Sequence, residues 1–302
     1  MLRAGLAAAA ILLSTPALAA PQDRTAVNGD VKIHYAVEGQ GPLVVLIHGF
    51  PDYWGTWKPL MAELNKAGYR TAALDLRGYN LSAKPQGVAA YAMPNLVGDV
   101  AAVIAAEGQK NAVVVGHDWG AAIAWRVAFN RPELVNRLVI MSVPHPAGMG
   151  RELATNKAQQ EGSNYAREFQ KEGSEKALNA EALAGWVTDP ARKAEQVEAL
   201  KRSDFAAMMN YYRANYPRAG GPQAGATPPP SPPPEAMRVK VPTLVVHGMK
   251  DTALNAAGHA GTWDFVDADT TLLMVPGAGH FVQHDAEALV NRAVRDWLNA
   301  RR

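Results

Sequence analysis

Short apolar runs and stretches of helical spacing alternate along most of this chain. Val31–Val37 (VKIHYAV) alternates apolar and polar positions, as a half-exposed strand does. Leu43–Ile47 (LVVLI) is a continuous apolar run, the pattern of a strand covered on both faces. Thr71–Leu74, Val113–Val115, Leu138–Met141, Leu244–Val246 and Thr271–Val275 read as further strands. Trp57–Lys66 has helical spacing. A second helix is expected from Pro94 to about Glu107, because proline has no N–H to lose in a first turn. Strands alternating with helices predict an α/β fold, a mainly parallel sheet with helices on both faces.

One gap breaks the rhythm. From about Pro144 to Pro242 there is no strand-like run, only charged helical patterns such as KAEQVEALKR. This reads as a helical insertion carried on the sheet domain. Its end, PRAGGPQAGATPPPSPPPEAM, is too rich in proline and glycine for helix or central strand, and reads as an extended return linker. A proline-rich recognition peptide is the functional alternative for that stretch. No internal repeat is evident. The resulting division is a leader at 1–19, the first part of the core at 20–143, a helical cap with its return linker at 144–236, and the second part of the core at 237–302.

The leader rests on MLRAGLAAAAILLSTPALAA: one early cation, Arg3, an apolar stretch from Ala4 to Leu13, then small residues suited to cleavage after Ala19. The stretch is too short for a membrane span and implies export to a periplasmic or secreted location. The chain has no cysteine, which excludes disulfides, thiolate catalysis and cysteine-held metals. A formal charge of +2, falling to +1 without Arg3, and the lack of any dense basic run argue against nucleic acid or an anionic membrane as partner.

In doubly wound sheets, functional groups gather at the carboxyl ends of strands. Four stretches fall there. Leu43–Ile47 is followed by His48-Gly49-Phe50-Pro51, and Val113–Val115 leads through Gly116 and His117 to Asp118. Leu244–Val246 is followed by HGMKD, ending at Asp251, and Thr271–Val275 by PGAGH, ending at His280. The order nucleophile, acid, histidine is that of a hydrolase triad in which a strand–turn–helix elbow carries the nucleophile. A serine usually occupies that elbow; here it is Asp118. An aspartate there would also serve as a helix N-cap, Asp251 as a turn residue, and His280 as a buried core histidine.

Taken together, HGFPDYWGTW, DLRGYNLSAKP, GHDWGA, VVHGMKD and GAGHF resemble, in order and spacing, the epoxide hydrolase family of the α/β-hydrolase superfamily, its aspartate-nucleophile branch. The resemblance covers nearly the whole chain after the leader. It implies an α/β-hydrolase fold with a helical cap, and a hydrolase acting on the ether bond of a small, apolar epoxide. An ionised carboxylate, with an ordinary pKa of about 3.9, needs no base to attack an epoxide carbon. Asp118 would form an alkyl ester, which water activated by His280, supported by Asp251, would hydrolyse. The backbone N–H groups of Phe50 and Trp119 would stabilise the oxyanion. Cap tyrosines of the family donate to the departing oxygen. MMNYYRA gives Tyr212, framed by Asn210 and Arg213, with Tyr211 as fallback, and SNYAREFQ gives Tyr165. Asn80, where the family carries glycine, suits a left-handed backbone.

The remaining histidines are read as structural. His48 shapes the HGFP turn, His117 and His145 stand near the site without chemistry, and His34, His259 and His284 are placed at surface or edge. No HExxH occurs, and no metal or cofactor is implied; water is the only cosubstrate. Trp186, Phe205, Met208 and Met209 are apolar candidates for the pocket lining, with packing inside the cap as the alternative. Two rival functions remain: a haloalkane or haloacetate dehalogenase, which uses the same aspartate, and a non-catalytic binding protein on the same fold. The paired tyrosines, the complete triad, and Trp119 where the haloacetate type is expected to carry arginine favour the epoxide.

Overall fold

The computed structural model describes residues 20–217 and 234–302. The leader and most of the proline-rich return linker lie outside the described residues. Among those described, eight strands form one sheet: β1 (Gln22–Asn28), β2 (Val31–Gly39), β3 (Leu43–Ile47), β4 (Arg70–Leu74), β5 (Ala112–His117), β6 (Val135–Met141), β7 (Thr243–Gly248) and β8 (Thr270–Val275). Their order across the sheet is β1-β2-β4-β3-β5-β6-β7-β8. Strand β2 runs antiparallel to β1 and β4, and every pairing from β4 to β8 is parallel.

Strand β1 is the element the hydrophobic pattern misses. In QDRTAVN only Ala26 is buried, because an edge strand needs backbone pairing on one side and little apolar surface. The inner strands show the opposite extreme: all of β3 and β5 is buried. Side chains alternate between two apolar layers, as the strand period requires. Val45, Ile47 and Val114 pack with α2 (Met93–Ala106) and α3 (Trp119–Asn130). Val44, Leu46, Val113 and Val115 pack against α1 (Lys58–Lys66) and the C-terminal helix Glu287–Asn299.

Between β6 and β7 the chain forms α4 (Pro146–Thr155), α5 (Lys157–Gly162), α6 (Asn164–Phe169), α7 (Ala180–Leu183), α8 (Pro190–Lys201) and α9 (Phe205–Asn215). Two further helices, α10 (Val282–Asp285) and α11 (Glu287–Asn299), close the chain. Aspartates cap the longer inserted helices: Asp189 accepts from Arg192 N at 2.9 Å and Asp204 from Ala207 N at 3.1 Å. The insertion is tied to the loops at the strand ends by polar contacts. Gln196 Nε2 donates to Pro51 O (2.6 Å), Tyr53 Oη to Glu195 (2.9 Å), and the Asn80 N–H to Ser203 Oγ (2.8 Å). Asn80 itself has φ 38°, the left-handed backbone its side chain tolerates. No helix among the described residues is long and apolar enough to cross a membrane.

One ion pair joins four elements. Arg77, in the loop after β4, forks onto Asp99 of α2 with Nε–Oδ2 at 2.6 Å and Nη2–Oδ1 at 2.5 Å. Both side chains are at most 3% exposed. Asn28, at the end of β1, donates to the same carboxylate (2.9 Å), and Arg77 O accepts from Tyr211 of α9 (2.8 Å). Removing one partner of a buried pair leaves an uncompensated charge. Asp99→Ala is therefore expected to destabilise the protein by about 3–5 kcal/mol in chemical unfolding. A loss below 1 kcal/mol would show that the fork contributes little.

Candidate active site

The strand-to-helix elbow is a steric construction. Asp118 joins β5 to α3 with φ 50° and ψ −122°, a conformation a non-glycine residue holds only when its surroundings impose it. Gly116 and Gly120 make the turn possible. A Cβ on Gly120 would stand 2.0 Å from Ile47 O, and one on Gly116 would stand 2.3 Å from Gly120 O. The Asp118 carboxylate makes no capping bond to α3, although it occupies the N-cap position.

That carboxylate instead faces the ends of neighbouring strands. Its Oδ1 accepts from Phe50 N at 2.7 Å, and its Oδ2 lies 3.4 Å from His280 Nε2. His280, after β8, bonds through Nδ1 to Asp251 Oδ2 at 2.7 Å. The Asp251 side chain is fully buried, and its Oδ1 accepts from the N–H groups of Ala253 (2.8 Å) and Leu254 (2.9 Å). Trp119 is the first residue of α3, so its N–H belongs to the free amide end of that helix.

Electrostatics follows from this geometry. Burial opposes a charge on His280, but the hydrogen bonds and charges of Asp118 and Asp251 outweigh it and raise the imidazole to about 10. For Asp118 and Asp251 burial opposes ionisation, and the bond and charge of His280 overcome it, so both carboxyls lie below their ordinary range. At neutral pH the site is one imidazolium between two carboxylates.

The structure adds positioning groups that the motifs do not reveal. The His280 carbonyl accepts from Ser142 Oγ at 2.7 Å and from His117 Nε2 at 2.9 Å. Burial, aided by the His280 charge, holds His117 neutral with a pKa of about 3. Ser142, at the end of β6, has φ 70° and donates its N–H to Val246 O at 2.9 Å. Its only sequence signal is its place at a strand's carboxyl end. His48 donates from Nδ1 to Gly49 O (2.8 Å) and accepts at Nε2 from Leu76 N (3.0 Å), so both nitrogens are spent on backbone.

Other histidines depart from the sequence expectation. His34 is neither at the surface nor on an edge strand. It is buried on β2 between Asp75 (2.7 Å) and Asp23 (3.0 Å), because both faces of that strand are covered. His259 is also buried, with Nε2 3.0 Å from His247 Nδ1. His284 is half-buried, 2.5 Å from Thr56 Oγ1. Among the described residues no three His, Asp or Glu side chains converge to hold a metal ion.

Asp118 and Trp119 open onto a cavity of about 250 Å³. Its walls come from the exposed face of α3, from Met149 and Leu153 of α4, and from Tyr165, Tyr212 and Tyr216. The ring of Tyr212 meets Trp119 edge to face at 5.0 Å, and Tyr165 stands 6.1 Å from Tyr212 between ring centres. Desolvation, and the Asp118 charge with it, hold both phenols well above the ordinary value, so they stay protonated. Tyr211 is buried against Arg77 and is not a cavity residue. Nor do the expected apolar linings reach this cavity. Met208 and Met209 are fully buried in the core, Phe205 packs against it, and Trp186 stacks flat on Phe281 at 3.7 Å. Helix α4 supplies the apolar wall instead.

Residues 42–287 match the family model for the alpha/beta hydrolase fold. The AB hydrolase superfamily protein YfhM of Bacillus subtilis (strain 168) is 33% identical over 90% of this chain and 95% of its own length. Epoxide hydrolase 3 of Xenopus tropicalis is 31% identical over 90% of this chain and 76% of its own. A Bacillus megaterium epoxide hydrolase solved with an inhibitor superposes with a TM-score of 0.81, at 32% identity, over 92% of this chain and all of that one. This chain belongs to the epoxide hydrolase family of the α/β-hydrolases. A variant of the B. megaterium enzyme has been solved with its naphthyloxypropane diol product, again at 30% identity with a TM-score of 0.79.

In this family member the imidazolium state of His280 has a measurable consequence. A group whose pKa is raised on folding stabilises the native state fully below its unfolded value, 6.5, and loses that contribution as pH rises through the folded value, about 10. Nitrogen NMR should therefore find His280 doubly protonated at pH 8 and find its pKa lowered in Asp118→Asn. A neutral ring at pH 7 in the native protein would contradict the paired-carboxylate geometry.

Proposed function

We propose that this protein hydrolyses an epoxide to a vicinal diol through an ester on Asp118. The observation that supports the reading best is a carboxylate at the elbow, ionised by its neighbours and opening onto a cavity walled by two protonated tyrosines. In the first step Asp118 Oδ2 attacks an epoxide carbon and the ring C–O bond breaks. The departing oxygen takes a proton from Tyr165 or Tyr212, and a hydroxyalkyl ester remains.

Alkylation removes the Asp118 charge that helps hold the proton on His280 Nε2. The imidazole pKa falls, the Nε2 proton passes to the tyrosinate left by ring opening, and the neutral ring can then accept a proton from water. That water attacks the Asp118 carboxyl carbon. The negative charge developing on Oδ1 meets the Phe50 N–H that already binds this atom in the resting protein. The Trp119 N–H is the second donor in this reading. Each such donor contributes about 3–4 kcal/mol to the transition state. Collapse breaks the bond between the carboxyl carbon and Oδ2 and expels the diol, which takes one water proton, while the other remains on Nε2 and restores the imidazolium.

Two experiments test the scheme. Asp118→Ala should abolish diol formation, and His280→Gln should accumulate protein heavier by the mass of one epoxide in intact mass spectrometry. A folded His280→Gln protein that turns over normally, or forms no adduct, would overturn the ester route. Replacing both Tyr165 and Tyr212 by Phe should slow epoxide opening by at least two orders of magnitude, the size of a lost general acid. Halide release from a haloalkane, with no diol from any epoxide, would instead assign the aspartate to dehalogenation. The first nineteen residues are read as an export signal; a mature N-terminus at Ala20 in protein from an exporting host would support this, and an intact Met1 would not.

A further inference from the structure

Helix α3 carries more than the elbow. Asp118, Ala122 and Arg126, spaced four residues apart, fall on one helical face, and all three line the cavity. Arg126 therefore lies two turns from the nucleophile, about 12 Å along the helix axis. Arg126 is half-buried, and Val143, Pro146, Met149 and Leu153 line the same cavity.

Arg126 lacks a counter-charge. Three other arginines drawn into this fold have a carboxylate partner: Arg77 has Asp99, Arg70 has Glu107 and Arg213 has Glu175. All 28 acidic residues of the chain lie within the described residues, and none forms an ion pair with Arg126. Burial alone shifts this group, downward, and no carboxylate acts on it. The titratable side chain beside it, His145, is held neutral at about 4, mainly by burial and partly by the Arg126 charge. An arginine stays charged in proteins, and a desolvated charge without a partner is costly.

We infer that Arg126 is the anchor for an anionic group on the substrate, so that the natural epoxide carries a carboxylate joined to the ring through an apolar spacer. The inference rests on the epoxide hydrolase reading above and deepens it. Attack occurs at Asp118, the spacer lies along the α3 face and the α4 wall, and the carboxylate takes the guanidinium fork at the far end of the cavity.

The test compares a medium-chain terminal epoxide ending in a carboxylate with its methyl ester, by kcat/KM for diol formation. In the native protein the acid should exceed the ester by about tenfold or more, the size of one desolvated charge-assisted contact. Arg126→Met and Arg126→Gln should bring the ratio to about one, while Arg126→Lys should keep part of it; thermal unfolding of each variant checks that it is folded. Loss of the preference through KM, with the ester unaffected, identifies binding of the distal anion. A native ratio near one, or a ratio unchanged in both neutral variants, would overturn the inference and leave the hydrolase reading standing. Absence of diol from either probe and from a neutral aryl epoxide would overturn both.

Discussion

Two carboxylates and one imidazole share a single positive charge at the centre of this protein, and the surrounding fold is arranged to hold them there. Asp118 and Asp251 would each be costly to bury alone. His280 lies between them, 3.4 Å from one and 2.7 Å from the other, and makes both ionised states tenable. The three groups come from the carboxyl ends of β5, β7 and β8, so their meeting depends on strand order. The strain at Asp118, the close packing of Gly116 and Gly120, and the two donors on the His280 carbonyl all serve to keep them in register.

The same arrangement gives the proposed chemistry its direction. In that scheme ionised Asp118 would be the nucleophile while His280, held protonated, would not act as a base. With Asp118 esterified, one of the two carboxylate charges that fix the proton would be gone. The histidine would thus serve as a base only after the first proposed step. Asp251, fully buried, held by two backbone N–H groups and bonded to His280 Nδ1, fixes the orientation of the ring.

The cavity has a polar end and an apolar length. Near the elbow stand two tyrosines whose protons are kept by desolvation and by the Asp118 charge. Beyond them the walls are apolar until Arg126. In the proposed reading, the carboxylate at one end and the cation along the same helix face would discriminate substrates by length and charge as well as by reactivity. The inserted helices contribute walls to this space, and their bonds to Pro51, Tyr53 and Asn80 hold them over the strand ends.

Much of this was legible from sequence. Buried parallel strands must be continuous apolar runs, so the inner strands announce themselves. The elbow glycines and the order Asp118, Asp251, His280 follow from what a tight strand-to-helix turn and a proton relay require. Strand β1 was not legible, because an edge strand is made by backbone pairing and its side chains remain largely polar and exposed. Burial of His34 and His259 was hidden for a related reason: a histidine inside the fold needs only a buried partner, and Asp75 and His247 are distant along the chain. The lining of the cavity and the isolation of Arg126 were likewise decided by tertiary structure. Whether Met149 or Met209 faces the cavity depends on how the inserted helices are rotated over the sheet. Periodicity within a helix identifies an apolar face but cannot say what that face meets.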